Sequence, residues 1–148
     1  MSASAIFARA GHDVALYDSA PGAVTAALPA IESTLASMAA ADLVDYIKVV
    51  MARIRPCETL EDALDRVDYI QESVIEEVEV KRTVFRMLDD TAPPDAVIAS
   101  SVSSIPPSEF MANLKGGALH RRPSGQSAAS YPGGGGHARA IDQRGNLR

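Results

Sequence analysis

Residues 68–104 read DYIQESVIEEVEVKRTVFRMLDDTAPPDAVIASSVSS, and this stretch decides the fold. Asp68–Glu72 is a short β run. Val80, Val84, Phe85 and Leu88 fall at i, i+4, i+5 and i+8, one face of a helix. Pro93-Pro94 stops that helix, and Ala96–Ala99 follows as a strand of buried character. Serines then crowd the next loop. Strand, helix and strand in this order make a βαβ unit. Polar residues just past both strands are how an open α/β sheet builds a ligand crevice.

Outward from this unit, helix and strand keep alternating. Ser2–Ala10 reads as the back half of a helix, with Gly11 as its C-terminal cap. Val14–Tyr17 is a strand that ends at Asp18. Ala20–Leu43 is an alanine-rich helix that Pro29 should interrupt, and Val49–Ile54 suits a weak strand. Thr59 with Asp62 resembles a capping box that opens a short helix to Val67. Pro106-Pro107-Ser108 starts a last helix, to Leu114. Such alternation predicts a parallel sheet with helices on both faces. Composition changes near His120. Residues 120–148 are rich in Gly, Ser, Pro and Arg and poor in aliphatics, which predicts a disordered tail behind a folded body at 1–119.

The 148 residues suffice for one domain with a core, and 47% hydrophobic with 22% charged residues is ordinary for a globular protein. A net charge of −5 argues against a nucleic-acid partner. No apolar run reaches membrane-spanning length and no basic leader precedes an apolar stretch, so a cytoplasmic location without a membrane partner is expected. The lone Cys57 excludes an internal disulfide framework. His12, His120, His137 and Cys57 have no metal-ligand spacing, so no metal is expected. Gly133–Gly136 lacks the preceding strand and following helix of a phosphate loop.

Four residues are candidates for chemistry. Asp18 ends a strand, where dinucleotide-binding folds place an acid on the adenosine ribose; it can equally cap the next helix. Glu76 and Lys81 open the helix after the Asp68 strand and face the crevice, or are simply a solvated helix start. Ser103, with Ser100, Ser101 and Ser104, can bond a cofactor or substrate oxygen, or form a turn with nearby backbone.

Phe7-Ala-Arg-Ala-Gly-His-Asp-Val14 with Leu16-Tyr-Asp18 is similar to the 3-hydroxyacyl-CoA dehydrogenase family just past its glycine fingerprint. Tyr69–Glu76, Val80-Lys81, Val84-Phe85 and Ala99–Ser104 with Pro107-Ser108 and Phe110 resemble the same family, in its lambda-crystallin branch. The resemblance covers residues 5 to 119 and implies a partial Rossmann-like, doubly wound parallel sheet lacking its first strand and glycine-rich loop. It implies NAD as cofactor, held by Asp18, Glu76 and Lys81, with Ser103 on the substrate oxygen. The reaction implied is oxidation of a 3-hydroxyacyl-CoA in fatty acid metabolism, or of a sugar acid such as L-gulonate. The family's dimer interface, in a C-terminal helical domain, is not expected here.

The family's base is a histidine in a His-Pro-x-Asn-Pro motif. Position 124, near where the resemblance places it, is serine, so no catalytic residue is assigned and the chain is expected to be an inactive fragment. A frameshift is the hypothesis offered for the departure. Arg121–Ala140 read from the second base of each codon permits Val-Ala-His-Pro-Val-Asn-Pro-Leu-His-Pro-Ile-Pro-Ala-Val-Glu-Val-Met-Pro-Ala. A non-catalytic interaction module is the alternative from another class, because a half-sheet leaves strand edges open.

Overall fold

The computed structural model describes residues 3–112, 114 and 138–140. Helix α1 (Ala3–Arg9) leads to strand β1 (Val14–Leu16), helices α2 (Ala23–Ala39) and α3 (Ile47–Met51), and strand β2 (Ile54–Pro56). Helix α4 (Leu60–Leu64), strand β3 (Tyr69–Glu72), helix α5 (Val78–Thr91), strand β4 (Val97–Ser100) and helix α6 (Pro107–Phe110) follow, with strand β5 at Ala138–Ala140. Every strand pairing is parallel: β1 with β2, β3 with β4, and β3 with β5. Parallel strands alternating with helices are what the α/β reading expected.

The local signals explain most element ends. Gly11 has φ +96°, and His12 N donates to Phe7 O while Gly11 N donates to Ala8 O, the paired bonds of a Schellman cap. The Asp62 amide donates to Thr59 Oγ1 at 3.1 Å, as the capping box predicts. Arg66, at φ +54°, turns the chain after α4, which therefore ends short of Val67.

Three expectations need correction. Pro29 lies inside α2 rather than interrupting it. Its exposed position lets one missing N–H be lost on the solvent side, while Val24, Ile31, Leu35 and Met38 bury the other face. The weak strand at Val49–Ile54 is instead the end of α3, a turn, and the start of β2. Its β-branched valines suited either state, and burial of Val50 on the core selected helix. Finally, Ala138–Ala140 forms a strand within the segment expected to be disordered. Alanine carries no strand signal, so only the waiting edge of β3 accounts for it. The rest of residues 120–148 lies outside the described residues.

The alternating strands divide their side chains between two cores. Tyr69 of β3 and Ala99 of β4 join α1, β1, α2 and α3 in one cluster, where Phe7 and Tyr69 rings approach to 5.3 Å. Ile70 and Ile98 join Phe85, Leu88 and Phe110 in the other. Covering both faces of β3 and β4 in this way leaves their carboxyl ends as the open edge where Ser73, Glu76 and Ser103 gather.

Candidate functional site

Loops after β3 and β4 build the candidate site. Glu72, the last residue of β3, is followed by Ser73–Glu77 before α5 begins; Ser100, the last of β4, is followed by Ser101–Ser104. Because the two strands are parallel and in register from Tyr69↔Val97 to Glu72↔Ser100, the two loops leave the sheet side by side.

Glu76 joins them. Its carboxylate accepts from Ser103 N at 2.7 Å, from Ser104 N at 2.5 Å, and from Ser103 Oγ at 2.9 and 3.1 Å. These donors favour the charged form. Led by the Ser104 amide and then the Ser103 amide, they lower the Glu76 pKa from 4.5 to about 2. Glu76, Ser103 and Ser104 are all exposed, so this clamp sits at the surface of the crevice.

Lys81 does something different from what its position in the sequence suggests. It is 1% exposed, as is Glu72. Its Nζ donates to Glu72 Oε1 at 3.0 Å, Glu72 Oε2 at 2.9 Å and Ser100 Oγ at 3.2 Å. Ser100 Oγ and Val74 N each donate to Glu72 at 2.5 Å. The Phe110 ring lies 5.8 Å from Nζ. The ammonium is thus closed off beneath the strand ends, held by Glu72 and Ser100. Sequence reasoning missed Glu72, whose carboxylate anchors this network; a carboxylate at a buried strand end, nine residues before a lysine, was the available signal.

On the other face of the sheet, Tyr69 donates to Gln71 Oε1 at 2.8 Å, and Gln71 Nε2 donates to Ser101 Oγ at 2.9 Å. Ser101 Oγ and Ser73 Oγ lie 3.0 Å apart. The serine loop is thus tied by side chains to both the end of β3 and the loop that follows it. Asp18, past the end of β1, accepts from Ala20 N at 2.8 Å in a local turn, while α2 starts only at Ala23, with Gly22 and no side-chain cap at its N-terminus. The structure brings Glu76 and Ser103 into contact, keeps Asp18 on the same edge, and removes Lys81 from the surface.

This donor set fits a dinucleotide at its ribose positions. Asp18 and Glu76 are carboxylates at the carboxyl ends of parallel strands, where ribose hydroxyls are held in open α/β sheets. Among the described residues, no group of His, Cys, Asp and Glu could hold a metal ion, and no helix is long and apolar enough to cross a membrane.

Comparison with known proteins gives a consistent picture. The profile of the 3-hydroxyacyl-CoA dehydrogenase, NAD binding domain family matches residues 1–119. An L-carnitine dehydrogenase/betainyl-CoA thioesterase of Rhizobium meliloti is 36% identical over 118 residues, 76% of this chain and 22% of that protein. A lambda-crystallin homolog of Bos taurus is 33% identical over 115 residues, 74% of this chain and 35% of that protein. The solved 3-hydroxybutyryl-CoA dehydrogenase of Escherichia coli K12 superposes with a TM-score of 0.68 at 26% identity, over 76% of this chain and 24% of that one. The chain spans well under half the length of each of these relatives.

Proposed function

The chain belongs to the 3-hydroxyacyl-CoA dehydrogenase family, whose NAD binding domain it matches, and from that membership we propose that its crevice is an NAD-facing half-site. The observation that carries this reading is the Glu76 clamp on Ser103 and Ser104 at the carboxyl edge of β3 and β4. Asp18 and Glu76 are the ribose-facing carboxylates. When bound, the nicotinamide would accept the hydride.

Ser103 is the substrate-facing group. Its hydroxyl is positioned to give its proton to Glu76, which leaves the Oγ lone pairs facing a ligand. Ser103 therefore suits a substrate hydroxyl, which can donate, better than a carbonyl, which cannot. Lys81 acts indirectly, by fixing Glu72 and Ser100 at the two strand ends from which the loops spring. The substrate class we infer is a small 3-hydroxy acid or its CoA thioester, in a cytoplasmic setting. A free sugar acid, implied by the resemblance to the lambda-crystallin branch, is the second reading.

The sequence contains neither a G-x-G-x-x-G run nor a His-Pro-x-Asn-Pro motif. Loss of a general base costs about 10²–10⁴-fold in rate. We therefore expect no NADH production from NAD and 3-hydroxybutyryl-CoA by this chain. Calorimetry should give an NAD dissociation constant weaker than about 1 mM. Tighter binding, or measurable NADH formation, would overturn that part of the reading.

A further inference from the structure

The centre of the sheet holds an occupant that side-chain signals do not explain. One edge of β3 pairs with β4. The other faces β5, and with β5 in place Tyr69, Ile70 and Glu72 are 5%, 0% and 1% exposed. With β5 in place, the backbone N–H and C=O groups on that edge are shielded from water. Each one left unpaired costs about 1–3 kcal/mol. Meanwhile β1 pairs only with β2. Strand β5 touches both pairs, and Phe7, Val14, Leu16 and Tyr69 form a single apolar cluster bridging the two sides.

Strand β5 takes that place. It pairs parallel with β3 in the register Tyr69↔Ala138, Ile70↔Arg139 and Gln71↔Ala140, and it also packs against β1 and α1. It covers three of the four residues of β3. An Ala-Arg-Ala segment has low intrinsic strand preference. Burial of the β3 edge, rather than local preference, supplies the drive.

We propose that the interior edge of β3 is a strand-acceptor site, and that its occupant is this chain's own segment Ala138–Ala140, inserted in cis. The insertion joins the β1–β2 and β3–β4 pairs across one apolar layer. It shields an edge that would otherwise recruit a strand from a second copy. Because β5 runs parallel to β3, its Ala140 end lies at the same edge as Glu72, between the elements that carry Asp18 and Glu76. The tail thus becomes a structural member of the fold.

A crosslink in the full-length chain tests the register. Gln71→Cys with Ala140→Cys, in a Cys57→Ala background, places two thiols on facing residues of neighbouring strands. Neighbouring strands lie about 4.7–4.9 Å apart, within disulfide reach. Under dilute oxidation this pair should close within one chain at least about tenfold faster than the control pair Gln71→Cys with Gly134→Cys, which lies outside the β3–β5 register. Equal rates would overturn the proposal, and so would a crosslink that forms between chains. Hydrogen exchange on the unsubstituted chain provides a second reading that needs no cysteines. The amides of residues 138–140 should exchange about a hundredfold slower than in a peptide of the same sequence. Exchange at the peptide rate would equally overturn it.

Discussion

Replacing Lys81 with Met tests whether this lysine is a structural or a cofactor-binding group. In the structure its ammonium makes three hydrogen bonds, two to Glu72 and one to Ser100, at 2.9–3.2 Å. Both members of the Lys81–Glu72 pair are 1% exposed. Removing one member of a buried pair leaves an uncompensated charge and typically costs about 3–5 kcal/mol. Here Ser100 Oγ and Val74 N still donate to the carboxylate, so the lower end, about 3 kcal/mol, is expected. Against a total stability of roughly 5–15 kcal/mol for a domain, that is a large fraction. Urea denaturation followed by circular dichroism should show the loss, along with a fall in Tm of roughly 10–15 °C. Glu72→Gln with Lys81→Met should recover at least half, because the amide oxygen keeps the Val74 donor and the amide N–H donates to Ser100 Oγ, with no buried charge. If Lys81→Met changes stability by less than about 1 kcal/mol, the buried-pair argument fails. A cofactor contact would then be the better account of this residue.

Four further outcomes follow from individual residues. Glu76→Gln should loosen the Ser103–Ser104 loop, seen as faster amide exchange at Ser103 and Ser104. The same loss should occur on acidification: because the folded pKa is depressed from 4.5 to about 2, the stabilisation is full above about 4.5 and disappears as pH falls through about 2. Thr59→Ala removes the cap on α4 and should cost about 1 kcal/mol in a chemical melt. Pro29→Ala, at an exposed position inside α2, should stabilise by roughly 1–3 kcal/mol, since it restores a helical N–H donor. Sequencing the coding DNA over Arg121–Ala140 should show a second frame that spells the His-Pro-x-Asn-Pro motif; any other second frame ends the frameshift account.

Much of the fold was legible because periodicity and capping agreed. Asp68–Ser104 showed strand, helix and strand, and each is found within a residue or two of its expected bounds, apart from the α5 start at Val78. Thr59 and Gly11 marked their helix ends through specific backbone bonds that a sequence can encode. The buried face of α5 was harder to read. Val80 and Val84 are only partly buried, while Lys81 is sealed in the core. A charged residue can occupy an interior position only if a distant partner meets it, and Glu72 does so across the turn. The α3 region and Pro29 were misread for a related reason: contact with the surrounding core overrode local preference. The insertion of Ala138–Ala140 was the least legible, since its cause is the unpaired edge of β3 rather than anything in its own residues.

At the candidate site, the sequence identified Glu76 and Ser103 but not the bond between them. That bond depends on the in-register pairing of β3 with β4, which brings residues 27 positions apart together. Asp18 was open between a cap and a ribose ligand. The structure shows a local turn bond to Ala20 N rather than a helix cap, and the carboxylate lies past the end of β1.

Residue-resolved NMR of the intact chain during NAD titration tests the central claim most directly. If the crevice at the ends of β1, β3 and β4 is an NAD-facing half-site, high NAD should shift the amides near Asp18, Glu76, Ser103 and Ser104 together, and Glu76→Gln should diminish the shifts. The amide of Lys81 should move little, because its side chain is closed off by Glu72 and Ser100. Shifts confined to other parts of the chain, or none at saturating NAD, would contradict the account.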